Sequence, residues 1–307
     1  MQPGYPNPRV SLRVFSLSTY LASTSTSSSS RAARIRAATH TLVLERPFPE
    51  SNVLVTQVAW VGRDELLVKM TDRTARWERV GLFDLSEQGL RGSAARGKEG
   101  TVVGKVVRET DWEDVDGGWA EPDQNVVGVE AAVLLAAALP PLSSSSSSSS
   151  DGSALASRAP IPPSYPPGYL DVLPNPLGFR HLAYFSPASS PNPVWLTNGS
   201  WEIDGGIERV DARRGLAYIV AANPSVARQV YAVPLPTTQD ALDALRGGAS
   251  TASTIEMKRL SDAHGGKGEG EDELAHYAVS VSPGGGVYQL NYGASRAPSS
   301  PARPRSR

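Results

Sequence analysis

The sequence predicts an all-β protein, and more narrowly a partial β-propeller of about four blades, from three observations. From Gly178 to Pro236 it passes through five short segments: GFRHLAYFSP, PVWLTNGSWEI, GGIERVD, RRGLAYIVAAN and RQVYAVPLP. Each is rich in β-branched and aromatic residues and is closed by Gly, Pro, Asn or Asp, as antiparallel strands are. Helix is a poor rival, because apolar residues do not recur at three-four spacing and prolines fall at 187, 191, 193, 224, 234 and 236. The phrase also recurs. Leu54 to Leu85 reads LVTQVAWVGRDELLVKMTDRTARWERVGLFDL, which sets GRDE against DARRG, LLVKM against LAYIV, and ERVGLFDL against RQVYAVPL. A shorter copy, HYAVSVSPGGGVYQLNY, spans His276 to Tyr292. Repeated antiparallel units suit radial blades, whose closure protects sheet edges, with an irregular β-sandwich as the next architecture. About sixteen strands, at four to a blade, make about four blades.

Taken in order, Pro8 to Leu17 alternates Val10, Leu12 and Val14 against Arg9, Ser11 and Arg13, as a half-buried strand does. The stretch near 23–36 reads as a low-complexity loop, serines followed by the basic cluster Arg31, Arg34 and Arg36, and a solvated loop is preferred there to a nucleic-acid patch. THTLVLERPFP is a strand stopped by Pro47 and Pro49, and the first full repeat follows. The Gly89–Gly100 loop lacks the Gly-Lys-Ser or Gly-Lys-Thr of a phosphate loop. TVVGKVVRE is a strand that leads into ETDWEDVDGGWAEP, where carboxylates crowd beside Trp112 and Trp119. Such a cluster suits cation binding or acid-base work, but a polar connecting loop with tryptophans tucked beneath it is preferred.

The main composition break is EAAVLLAAALPPL, then eight serines and a proline run, read as a disordered insertion near 140–167. YLDVLP resumes the strands, ALDALRGG suits a helical turn or two, and DAHGGKGEGEDE is a flexible acidic loop. Residues 1–292 thus form the predicted β domain and 293–307 a disordered basic tail.

Composition excludes several classes. The net charge of −1 gives no general attraction for nucleic acid or anionic membrane. Without cysteine there is no disulfide framework and no thiolate metal site, and His40, His181, His264 and His276 share no metal-ligand spacing, so neither metal nor cofactor is expected. Met1 to Pro6 has no basic n-region or apolar h-region, and the run from Ala131 to Leu142 is about half the length of a membrane helix.

YPNPRVSLRVF, VTQVAWVGRDELLVKMTDR, DGGWAEP, GYLDVLP, GFRHLAYFSP, LTNGSWEIDGGIERVD, AYIVAANPS, RQVYAVPLP and SVSPGGGVYQLNYG, in this order from Tyr5 to Gly293, resemble the N-terminal β-propeller of the dipeptidyl peptidase IV family, in its fungal dipeptidyl aminopeptidase branch. The resemblance implies an eight-bladed propeller joined to a membrane-anchoring segment and an α/β-hydrolase domain. Its Ser-Asp-His triad releases N-terminal dipeptides with Pro or Ala second. About four blades correspond to half of that propeller. The family's amine-binding glutamates precede the segment matching Tyr5. No Gly-x-Ser-x-Gly nucleophile elbow occurs, since Gly248-Ala249-Ser250 and Gly293-Ala294-Ser295 lack the closing Gly.

The expectation is therefore a non-catalytic propeller fragment of a serine exopeptidase, with a stand-alone protein-binding module as the alternative. Peptide substrate is reached only through the parent enzyme. The resemblance also implies a homodimer and a vacuolar or secretory setting. By the same resemblance Trp119 and Glu121 are candidates to line the substrate route, with packing the preferred role for Trp119. Asn198-Gly199-Ser200 is a glycosylation sequon in a turn.

Overall fold

The computed structural model describes residues 9–26, 30–90, 100–116, 118–121, 125–130, 132–133, 165–247, 255–261, 276–282 and 287–293. The expected flexible loop around 262–273, the serine tract, the tail from 294 and most of the Gly89–Gly100 loop lie outside them. Among the described residues are sixteen strands. β1 (Leu12–Phe15) and β2 (Thr39–Leu44) precede the first repeat, which forms β3 (Val53–Trp60), β4 (Glu65–Asp72) and β5 (Trp77–Asp84). β6 (Thr101–Asp111) follows, then β7 (Val127–Gly128), β8 (Tyr169–Pro174), β9 (Arg180–Phe185) and β10 (Val194–Trp195). The second repeat supplies β11 (Glu202–Asp211), β12 (Leu216–Ala222) and β13 (Gln229–Pro234), with β14 (Lys258–Arg259) beside it. β15 (His276–Val281) and β16 (Tyr288–Gly293) form the last hairpin.

Strand order follows chain order with one exception. The sheets run β10-β9-β8-β7, β11-β12-β13-β14 and β15-β16, and the largest runs β1-β2-β6-β5-β4-β3. In it β3 to β6 form an antiparallel meander, onto whose last strand β2 is laid parallel, Leu42 beside Val102. The hairpin of β11 and β12 turns as its sequence predicts. Asp211 Oδ1 accepts from the backbone N–H groups of Arg213 and Arg214, and Gly215 takes φ +68°, a left-handed conformation that suits glycine.

The fold is mostly β, not all-β. Instead of the loop expected near 23–36, helices occupy Leu17–Thr26 (α1) and Arg31–Ala38 (α2). Ser30 explains the second, because its hydroxyl accepts from the N–H of Ala33 as an N-cap and the run that follows is rich in alanine and arginine, both good helix formers. The turn expected of ALDALRGG is a helix over Gln239–Gly247, with Leu242 buried.

The chain divides into two compact units, Met1–Ala132 with Tyr165–Asp171 and Tyr184–Val194, and Val133–Ser164 with Val172–Ala183 and Trp195–Arg307. In the first, Leu66, Val68 and Met70 of β4 project to one face and pack with Phe83, Leu42, Leu44, Val102 and Val106. Each such side chain contributes about 1.5–3 kcal/mol on burial. In the second, Tyr218 and Val220 of β12 pack with Val230, Leu260, Tyr277 and Val279.

Candidate functional site

The other face of the first meander carries charge. Lys69 shares it with Leu67 and Thr71, pairs across to Val80, and lies near Glu78, two residues before Val80 on β5. Val80 in turn faces Arg108 on β6. Asp171 on β8 completes a quartet: Lys69 Nζ lies 3.6 Å from Asp171 and 3.9 Å from Glu78, while Arg108 Nη2 donates to Asp171 at 2.7 Å and lies 3.6 Å from Glu78. Lys69 is 3% exposed and Asp171 0%, so two cations and two carboxylates neutralise one another out of water.

Aromatic rings wall the quartet. Arg108 lies 4.8 Å from the centroid of Phe185, and Phe185 stacks on Tyr169 at 4.8 Å and 13°. Burial works against the charge of Arg108, but Asp171 and Glu78 outweigh it and hold the guanidinium above its ordinary value. Burial pushes the Tyr169 phenol up to about 12, against the pull of Arg108. Among the described residues Tyr169 Oη, Glu78 Oε1 and the Arg108 Nε and Nη1 atoms have no hydrogen-bond partner. Reciprocal neutralisation makes this arrangement a clamp that ties Asp171 of β8 to β4 and β6.

Asp111 and Glu113 of ETDWEDVD are taken up by an arginine rather than left open to an amine. Arg76 donates to both oxygens of Asp111, at 3.0 and 2.7 Å, and also pairs with Glu113. The hydrogen bond from Arg76 holds Asp111 below the usual carboxylate range, so it is a poor base. Trp112 is half-buried, but Trp119 is 70% exposed, contrary to the packing role expected of it beneath this loop, and Glu121 is exposed as well. The structure does not bring either residue to the quartet.

Asn198 lies in an exposed turn, where its Oδ1 accepts from Asn175 Nδ2 at 2.7 Å and from the N–H of Gly199 at 2.9 Å. His181, on β9, holds this turn from below. One ring nitrogen, Nε2, meets the Gly199 carbonyl at 3.1 Å and therefore donates, and Nδ1 meets the Thr197 hydroxyl at 3.0 Å. Trp201 packs edge-on against the His181 ring at 4.5 Å. Gly199 sits at φ +141°, where an added Cβ would lie 2.7 Å from Trp201 Nε1, so this turn requires glycine.

Comparison with known protein families matches residues 2–299 to the dipeptidyl peptidase IV (DPP IV) N-terminal region. The chain belongs to this family. Its curated relatives include probable dipeptidyl-aminopeptidase B proteins. That of Uncinocarpus reesii is 25% identical over 94% of this chain and 22% of its own length, and that of Tuber melanosporum is 29% identical over 76% and 19%. The Aspergillus clavatus protein is 30% identical over 61% of this chain and 16% of itself. The chain thus spans about a fifth of the length of the relatives it matches.

Within this DPP IV N-terminal chain, sequence reasoning missed the quartet and the His181 clamp. The available signal was a polar residue inside an otherwise apolar strand: Lys69 in LLVKM, Asp171 in YLDVLP and His181 in FRHLAYF.

Proposed function

We propose that this chain is a non-catalytic propeller portion of a dipeptidyl aminopeptidase-like serine exopeptidase, framing the approach of peptide to a hydrolase domain supplied by the parent enzyme. The observation that carries the reading is the succession β3–β6, β7–β10 and β11–β14, three groups of four strands each adjacent in chain order, as blades are. The family match and the lack of a Gly-x-Ser-x-Gly elbow in the 307 residues support it. Sixteen strands at four to a blade correspond to about four blades, with β1 and β2 extending the β3–β6 sheet and β15 and β16 forming a hairpin of their own. In this reading residues 1–292 are the propeller portion, Trp119 and Glu121 border the peptide route, and Asn198 is a glycosylation site. The exposure of both route residues and of the Asn198 turn is compatible with those roles.

The test is turnover of Gly-Pro and Ala-Ala amide reporters. The purified chain is expected to leave them uncut, and cleavage abolished by a serine-directed phosphonate would refute the reading. A second reading, a stand-alone protein-binding module, is favoured by β3, an edge strand of its sheet that exposes Leu54, Val58 and Trp60. A transcript that continues into a Gly-x-Ser-x-Gly reading frame separates the two in favour of the first.

A further inference from the structure

The net charge of −1 conceals a segregated chain. No Asp or Glu occurs before Glu45, while Arg9, Arg13, Arg31, Arg34 and Arg36 all precede it. The fold gathers part of this segment around an open cavity of about 1400 Å³ between α1, α2 and the β1–β2 pair. Arg13 and Arg36 line it with the hydroxyl-bearing Ser16, Thr19 and Thr41, and Glu87 is the one acidic residue among its described lining. Register places Arg13 directly across from Thr41, on the face of the pair opposite Leu12 and Val14, which pack into the core.

Neither arginine is engaged among the described residues. The other arginines of the first unit include Arg76, Arg79 and Arg108, each held by a carboxylate, and Arg34, which lies against the Tyr20 ring. Arg13 and Arg36 make no ion pair or side-chain hydrogen bond among the described residues, though both are exposed at the cavity. Two guanidinium groups with free donors on the lining of one cavity match the oxygens of a phosphate, and Ala22, Ala33, Ile35 and Leu90 give the same cavity an apolar side.

We infer that this cavity binds a phosphate ester, its phosphate on Arg13 and Arg36 and its organic body against the apolar side. The ligand chemistry is shared by soluble organic phosphates and anionic lipid headgroups, and the experiment separates them. This site is independent of the peptidase reading.

The full chain is titrated calorimetrically with inorganic pyrophosphate and with glycerol 3-phosphate, and is floated with phosphatidylcholine vesicles with and without phosphatidylserine. Saturable binding of either soluble probe is expected. Arg13→Gln and Arg36→Gln should each weaken it about tenfold, and together about a hundredfold. Exposed Arg63, in the turn between β3 and β4, serves as the control, and Arg63→Gln should leave binding unchanged. Recruitment to phosphatidylserine vesicles alone, lost in the double variant, would assign the site to a lipid headgroup. The proposal is overturned if neither probe nor vesicle binds, if the double variant binds like the parent, or if Arg63→Gln weakens binding as much as the cavity variants.

Discussion

The two repeats place different side chains at the same point of the same strand. Aligned by phrase, Lys69 of β4 falls against Ile219 of β12, and both lie within the middle strands of antiparallel meanders. Lys69 faces the quartet, whereas Ile219 is fully buried between Ile207 on β11 and Tyr231 on β13. Hydrophobic burial at such a position has a broad optimum, since any apolar side chain of suitable size serves. The ionic solution has no such latitude: it requires four groups from β4, β5, β6 and β8 at once. One repeat is therefore tolerant of substitution at this point and the other is interdependent.

The sharpest way to break the comparison is to move the charge. Ile219→Lys puts a lone ammonium where its cross-strand neighbours are apolar or aromatic, and should cost more than about 4 kcal/mol in urea unfolding. Such a loss is a large part of the stability of any domain. Next in size, Asp171→Asn leaves Arg108 and Lys69 to share Glu78, and should cost about 3–5 kcal/mol. Replacing all four quartet residues by apolar ones of similar volume should restore that stability or exceed it. If the fourfold variant is as unstable as Asp171→Asn, the charges do more than neutralise one another.

The smallest effect sharpens the contrast through pH. Burial lowers the pKa of His181 below its ordinary 6.5, with the Gly199 carbonyl and Glu202 opposing the shift. The unfolded chain then binds this proton more tightly than the folded one. Stability is complete above about pH 6.5 and declines as pH falls from there through the folded pKa. Urea midpoints measured from about pH 8 down to about pH 5 should show this fall, and His181→Gln should flatten it. An unchanged slope in that variant would assign the titration to another group.

Much of the fold was legible. The β3–β5 and β11–β13 meanders lie where their phrases predict, because alternation and turn residues act over a few positions. Register was less so: Lys69 pairs with Val80, but Ile219 pairs with Tyr231, whose phrase-aligned counterpart is Gly81. A one-residue difference of this kind turns side chains to the other face, and it arises in turns and bulges that carry little pattern. The helix Arg31–Ala38 was obscured by the serines before it, although the last of them is its cap. Of the candidate site, the position of the Asn198 turn was readable from a triplet, whereas the quartet was not. Its members are 102 positions apart at the extremes, Lys69 to Asp171, and no local pattern records such a pairing.

The parallel docking of β2 on β6 has a consequence for the order in which the first unit assembles. Thr41 meets Thr101 only after the fifty-nine residues between them have been organised, whereas β3 to β6 join through short connections and one longer loop. Chain-closure entropy opposes the distant pairing until the meander presents a finished edge. The segment carrying β2 therefore joins a core that the meander has already begun, its Leu42 and Leu44 closing over Phe83, Val102 and Val106, so the distant pairing is fixed by burial rather than by strand hydrogen bonds alone.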